Sequence, residues 1–309
     1  MKREWPADPQ GDSSGRGEPG RVCIAARLRE TFGYPARIRE EREEVQVINE
    51  IRQRVREKQP LIHCITNPIS IRDCANAILA VGARPMMAEH PLEAETVTRS
   101  AGAVLLNLGS LTDARMASMR ISAAAAKASG IPFVLDLCGA ACLDNRRHYA
   151  ASLMERAMPS VVKGNYSEIK AMYDAAYHSS GVDAQTDLEE AEMDKICAAL
   201  AERWHTVVLA SGKTDIITDG ETMLHCNNGT PQLACVTGTG CMQGALCAAF
   251  LSAADGLSAA AAACGMLGVC GELAQTPKGS GSFGVGLMDA LSTISEEELE
   301  QRLCLEQCS

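Results

Sequence analysis

The stretch from Val236 to Ala245 reads VTGTGCMQGA. Gly238 and Gly240 flank Thr239, Cys241 follows, and a run of small and apolar residues then reads as a buried helix. The first N–H groups of a helix have no intrahelical partner, and the helix dipole adds partial positive charge at that end. A glycine loop entering a helix is therefore a ready anion site. Glycine also lets backbone approach a phosphate closely and take a positive φ. Gly238, Thr239, Gly240 and Cys241 form the candidate anion hole, with Cys241 at its mouth. The same pattern also describes a tight turn before a core helix with a buried cysteine, and the loop alone leaves both open.

The remaining candidates stand where short apolar runs end: Asn67, Met87, Asn107, Asp136, Lys163, Asn165 and Ser211. In an open α/β sheet, ligands sit beyond the carboxyl ends of the strands, so these positions share a rim with the glycine loop. Glu168 follows Asn165 by three residues and falls on the first turn of a helix. Carboxylates, a cation and backbone amides on one rim suit a magnesium nucleotide. Magnesium takes hard oxygen ligands, keeps several waters and uses few protein carboxylates beside substrate phosphates. Asp136 and Glu168 are the candidate metal carboxylates, Lys163 the phosphate cation, and the loop amides the group that stabilises charge during transfer.

Each of these residues also has a plain structural reading. Asn165 and Glu168 match a helix capping box. Ser211, followed by Gly212, matches a turn. Met86 and Met87 match core filler. His63, inside an apolar run, matches a hydrogen-bonded core histidine better than a catalytic one. There is no GxxxxGK[ST] segment, and no G-x-G-x-x-G follows an early strand, which excludes a P-loop and removes the dinucleotide fingerprint.

The elements that must position these groups alternate. Helical spacing at Val45 to Gln59, Ile71 to Val81, Pro91 to Ser100, Thr112 to Ser129, Asn145 to Ala157, Ser167 to Tyr177 and Leu188 to Trp204 is interleaved with short apolar runs. Those runs are Leu61 to Thr66, Arg84 to Ala88, Ala103 to Leu108, Ile131 to Leu137, Ser160 to Lys163 and Thr206 to Ala210. Strand–helix alternation predicts a mainly parallel sheet covered on both faces. Asp219-Gly220, between Asp215 to Thr218 and Thr222 to Cys226, predicts a hairpin at an antiparallel edge. A polar loop is expected from Ser179 to Thr186, and mostly helix after the glycine loop. Residues 45–309 read as one domain; residues 1–44, mixing Pro, Gly, Arg and Glu, read as a poorly ordered extension.

Composition narrows the partners. The 309 residues carry a net charge of -10 and 4% aromatics, which argues against a nucleic-acid backbone or a base-stacking surface. The 14 cysteines show no C-x-x-C pair and no framework, so they read as reduced thiols, many of them core residues, in a cytoplasmic protein. The apolar run Leu257 to Val269 is shorter than a bilayer span and reads as a core helix.

Together, the segments HCITNPISIRDCANAILAVGARPMMAEHP (63–91), LLNLGSL (105–111), VLDLCGA (134–140), KGNYSEI (163–169), VTGTGC (236–241) and GSGSFGVGLMDAL (279–291) resemble the hydroxyethylthiazole kinases. The cysteine of the glycine loop is the most discriminating feature, since related ribokinase-like kinases generally carry aspartate there. The resemblance implies a ribokinase-like α/β fold and ATP-dependent phosphorylation of 4-methyl-5-(2-hydroxyethyl)thiazole, a salvage step towards thiamine. It implies a homotrimer with the thiazole pocket at the subunit interface, while charge and apolar run length argue against a nucleic-acid or membrane partner. It places Met87 and Gly238 at the thiazole, Lys163 and Ser211 at ATP, Asp136 and Glu168 at Mg2+, and Cys241 at the substrate hydroxyl. The chain departs from the usual pattern at Lys163 (Arg), Ser211 (Thr), Arg72 (a small polar residue) and Leu137-Cys138 (Pro-Val). The alternatives that remain are a kinase of another small alcohol, such as hydroxymethylpyrimidine or pyridoxal, and a binder that has lost catalysis.

Overall fold

The structure, a computed structural model, describes residues 40–179 and 188–308. Residues 1–39 and most of the expected 179–186 loop lie outside the described residues. The first described helix, α1 (Glu40–Lys58), starts five residues before the boundary expected at Val45.

Strands and helices then alternate. In order come β1 (Leu61–Ile65), α2 (Ile71–Ala80), β2 (Arg84–Met86), α3 (Pro91–Ser100), β3 (Ala103–Asn107), α4 (Asp113–Ser129) and β4 (Phe133–Asp136). There follow α5 (Asp144–Arg156), β5 (Val161–Asn165), α6 (Tyr166–Tyr173), α7 (Glu190–Trp204) and β6 (Val207–Ser211). A hairpin of β7 (Asp215–Thr218) and β8 (Met223–Cys226) leads through a 3-10 turn (Pro231–Cys235) to α8 (Thr239–Leu251). The chain finishes with α9 (Gly256–Leu273), α10 (Ser280–Thr293), α11 (Glu296–Arg302) and β9 (Leu305–Cys308).

One nine-stranded sheet has the order β2-β1-β3-β4-β5-β6-β7-β8-β9. The pairs from β2 through β6 are parallel; β6–β7, β7–β8 and β8–β9 are antiparallel. The hairpin therefore lies at the antiparallel end as expected, but β9 rather than β8 forms the border. The four-residue LEQC of β9 is short and half-polar, as suits an edge strand, and carries little apolar periodicity to reveal it.

The inner parallel strands β1, β3, β4, β5 and β6 are largely apolar up to their carboxyl ends because both faces are covered, whereas β2 at the border is more exposed. Cys64, Leu105, Val134, Val161 and Leu209 face a core shared with α1, α2, α8, α9 and α10. Ile65, Leu106, Leu135, Val162 and Val208 face a second core shared with α4, α5, α6 and α7. Alternation of side chains along a strand produces the two layers. Among the described residues, α9 is long and apolar enough to cross a membrane by length and composition, unlike the shorter 257–269 run. Here 83% of it is buried within the fold as the central helix of the first core. His63 is fully buried, with Nδ1 2.9 Å from Thr98 Oγ1 and Nε2 2.8 Å from the Ala88 carbonyl oxygen. It is a structural histidine, and burial pushes its pKa down.

Candidate active site

Register assembles the rim. Asn107 of β3 pairs with Asp136 of β4, which pairs with Lys163 of β5, so three polar residues from separate strands form one row across the sheet. Two residues further along β5, Asn165 pairs with Ser211. The row is wired by hydrogen bonds. Asn107 Nδ2 donates to Asp136 Oδ2 at 2.8 Å, and Lys163 Nζ stands 3.6 Å from the same oxygen. The Cys138 amide donates to Asp136 Oδ1 at 3.2 Å.

Asp136 and Lys163 are both buried, 1% and 4% exposed, so neither is a surface charge. Burial pushes the Asp136 carboxyl up, although Lys163 and the Asn107 amide oppose the shift. Burial also works against the Lys163 ammonium, but the neighbouring Asp136 and Glu168 outweigh it and hold the side chain cationic.

The glycine loop closes over this row. Gly238 is the N-cap of α8 at φ 93, a conformation that favours glycine, and no side chain caps the helix. A Cβ added to Gly238 would lie 2.9 Å from Ser70 Cβ, one at Gly240 would lie 3.3 Å from Lys163 Nζ, and one at Gly244 would lie 3.2 Å from Asp136 Oδ2. The absence of side chains is what lets α8 settle against the cation and the carboxylate. Thr239 turns its hydroxyl back to the Leu233 carbonyl at 3.0 Å, leaving only its backbone for the loop.

Cys241 sits among donors. Asn67 Nδ2 reaches its Sγ at 3.2 Å and Asn107 Nδ2 at 3.4 Å. The Cys138 thiol also hydrogen-bonds it, and this contact is the main force lowering the Cys241 pKa against the cost of burial, with Lys163 adding to it. The Cys138 thiol moves the other way: its pKa is raised, first by the Cys241 contact and then by burial. Asn67 and Asn107 were visible in the sequence as strand-end residues, but nothing there linked them to the cysteine. Cys138 was marked only as a departure in the turn after Asp136.

Glu168 fulfils the capping pattern of Asn-x-x-Glu. The Asn165 side chain accepts from the Glu168 amide at 2.9 Å and Glu168 Oε2 accepts from the Asn165 amide at 2.8 Å. Its other oxygen, Oε1, accepts from the Gly139 amide at 2.7 Å. Burial pushes its carboxyl up to about 7, with the charge of Asp136 adding and Lys163 and the two amides opposing. Ser211 Oγ donates to the Gly164 carbonyl at 3.4 Å, on the strand that carries Lys163. Met87 stands apart from this cluster: it follows β2, the outer parallel strand, and is half-buried against the first core.

Among the described residues, no three His, Cys, Asp or Glu side chains converge on a cation position. Both carboxylates already accept backbone or side-chain N–H groups. Such a donor set fits a hydrated ion brought by nucleotide phosphates better than an all-protein cage.

A buried cation and carboxylate beneath an uncapped glycine helix, with a cysteine at its mouth, is the arrangement expected of a phosphotransferase. Residues 52–297 match the family model described as the hydroxyethylthiazole kinase family. The chain belongs to that family. Family membership makes it a kinase that uses ATP to phosphorylate an alcohol. A relative named hydroxyethylthiazole kinase 2, from Clostridium botulinum, is 42% identical over 259 residues, covering 82% of this chain and 98% of the relative. Hydroxyethylthiazole kinase of Finegoldia magna is 37% identical, covering 84% and 96%. The solved structure of a hydroxyethylthiazole kinase protein from Pyrococcus horikoshii superposes with a TM-score of 0.79 at 34% identity, covering 85% of this chain and all of that one. A pyridoxal kinase structure from Staphylococcus aureus, at 15% identity and TM-score 0.59, shares the fold. So does a ribokinase-like superfamily protein from Enterococcus faecalis, at 13% and 0.58.

Proposed function

We propose that this kinase transfers the γ-phosphoryl group of ATP to the primary alcohol of hydroxyethylthiazole, a thiamine salvage step. The observation that carries the proposal is the convergence of Lys163, Asp136 and Cys241 on the uncapped N-terminus of α8. In this assignment Gly238 and Met87 hold the thiazole, and Ser211 and Lys163 hold ATP. The first-turn amides of Gly238, Thr239, Gly240 and Cys241 face the charge that develops on the transferred group.

The Cys241 thiolate accepts the hydroxyl proton as the alcohol oxygen attacks, and the amides of Asn67 and Asn107 fix the sulfur that receives it. Lys163 neutralises phosphate oxygens, and Asp136 holds both Lys163 and Asn107 in place. Lysine here offers a point charge rather than the planar fork of arginine, so it balances charge without bidentate orientation. Asp136 and Glu168 would hold Mg2+ through water, and the ion would supply charge neutralisation between the phosphates. The decisive experiment is ADP release from ATP and Mg2+ with hydroxyethylthiazole, beside hydroxymethylpyrimidine and pyridoxal. Preference for the thiazole, lost with a chelator, is the expected result; preference for another alcohol overturns the substrate assignment.

Assembly as a homotrimer, with Met87 and the thiazole at a subunit boundary, belongs to the same proposal. Ile69, Leu79 and Met86, which are 68%, 56% and 41% exposed, support it: they precede Met87 in sequence and are exposed apolar side chains in the β1–β2 segment at the β2 end of the sheet. Light scattering that gives three times the chain mass is the expected result, and a monomer overturns it. A cytoplasmic location fits the free thiols of the described chain.

A further inference from the structure

Gln243 lies one turn inside α8, in a helix otherwise built of small and apolar residues, and is 4% exposed. A buried amide is costly unless it is hydrogen-bonded. Its Nε2 donates to Asp215 Oδ2 at 2.6 Å. The other oxygen of the same carboxylate, Oδ1, accepts from the Gly212 amide at 3.1 Å. Asp215 is thus split between two elements: the helix that begins with the glycine loop, and the turn that follows Ser211. The far side of that turn is held by Tyr166, whose hydroxyl donates to the Thr214 carbonyl at 2.7 Å. Gly212 itself has no room to move towards Tyr166, since a Cβ there would meet the ring at 2.7 Å.

We infer that Gln243 and Asp215 are positioning residues for ATP, a bridge that sets the Ser211–Gly212 turn at a fixed distance from the first turn of α8. The inference rests on the assignment of Ser211 and the glycine loop to ATP made above. Neither bridge residue touches the nucleotide. Their effect is to make two separately anchored contacts, one on a strand end and one on a helix end, present themselves together. Loss of the Gln243 donor leaves the half-buried Asp215 carboxylate with the Gly212 amide and the Cys264 thiol as its hydrogen-bond partners. The carboxylate must then turn or take up a proton, and either change loosens the turn.

Kinetics of the full-length enzyme with hydroxyethylthiazole and ATP test this. Gln243→Met, which keeps length and burial, should raise the KM for ATP about tenfold, the effect of losing one hydrogen bond to a charged group. The KM for the thiazole should stay within about twofold, because Met87, one of its two proposed contacts, follows the border strand β2, away from the bridge. Asp215→Asn should remain within about threefold of the parent for ATP, since the Gln243 amide can flip and accept from the new amide while the Gly212 contact persists. Should Gln243→Met not fold, Gln243→Leu replaces it with the same expectations. An unchanged KM for ATP in the Gln243 variant overturns the bridge. So does an equal rise in both KM values, or an Asp215→Asn enzyme as impaired as the Gln243 variant. Activity of the parent enzyme on hydroxyethylthiazole is measured in the same assay, so failure of the substrate assignment is seen separately from failure of the bridge.

Discussion

Two helices begin on the same rim of this sheet and end their first turns differently. At α6, Asn165 and Glu168 close the end with a reciprocal capping box, and the Gly139 amide occupies the remaining Glu168 oxygen. At α8, Gly238 takes a positive φ and no side chain caps the helix, while Gly240 lies against Lys163 and Gly244, a turn further on, against Asp136. Both ends carry the same helix dipole. Under the proposed assignment, what separates the anion site from a capped helix start is therefore the missing cap and the cation beside it, rather than the helix itself.

The contrast can be broken from either side. The largest effect is expected at the open end. Cys241→Ala should reduce kcat by about a hundredfold or more, the range for removal of a positioned acid or base, with the KM for ATP little changed. A loss below tenfold would remove the cysteine from proton transfer. Cys241→Asp sharpens the point, because recovery of most of the lost rate would show that a base is needed and sulfur is not. Gly238→Asn in a Ser70→Gly background should come next. The added side chain can cap α8 without meeting Ser70, and blocking the site should reduce kcat/KM for ATP by about a hundredfold while the melting temperature holds. At the closed end the order reverses. Asn165→Ala should cost about 1 kcal/mol of stability by denaturant unfolding and change kcat by less than about threefold. A large rate loss without destabilisation would give Asn165 itself a part in the chemistry, beyond seating Glu168.

The smallest effect is a pH dependence. Burial raises Glu168 from 4.5 in the unfolded chain to about 7 in the fold, so the folded state binds the extra proton between those values. The associated stability is present in full below about 4.5 and is lost as pH rises through about 7. Without nucleotide and divalent ions, unfolding free energy measured across that window should fall with pH. Glu168→Gln should flatten the fall, and an unchanged slope would show that another group is responsible.

Much of this site could be read before its geometry was known, because strand ends in a parallel sheet share a rim and Asn107, Asp136, Lys163 and Ser211 all terminate apolar runs. The glycine loop announced itself by composition. Other features left no local signal. The 3-10 turn Pro231–Cys235 and strand β9 are too short and mixed to show a period. The contact between Cys138 and Cys241 joins residues far apart in the chain, and a cysteine among 14 is read first as core. Gln243 was detectable in principle as an amide in an apolar helix, but its partner Asp215 looked like the first residue of a hairpin strand.

The row Asn107–Asp136–Lys163 also makes catalysis a late reporter of folding. Its members come from three strands joined by helical crossovers, and Cys241 must arrive from a fourth place beyond the hairpin. Parallel pairing of this kind closes long loops before any contact stabilises it, which slows folding. No single hairpin or helix pair contains the proposed site. During refolding, regained turnover should therefore lag behind regained helix signal and mark the moment when the last crossover is in register.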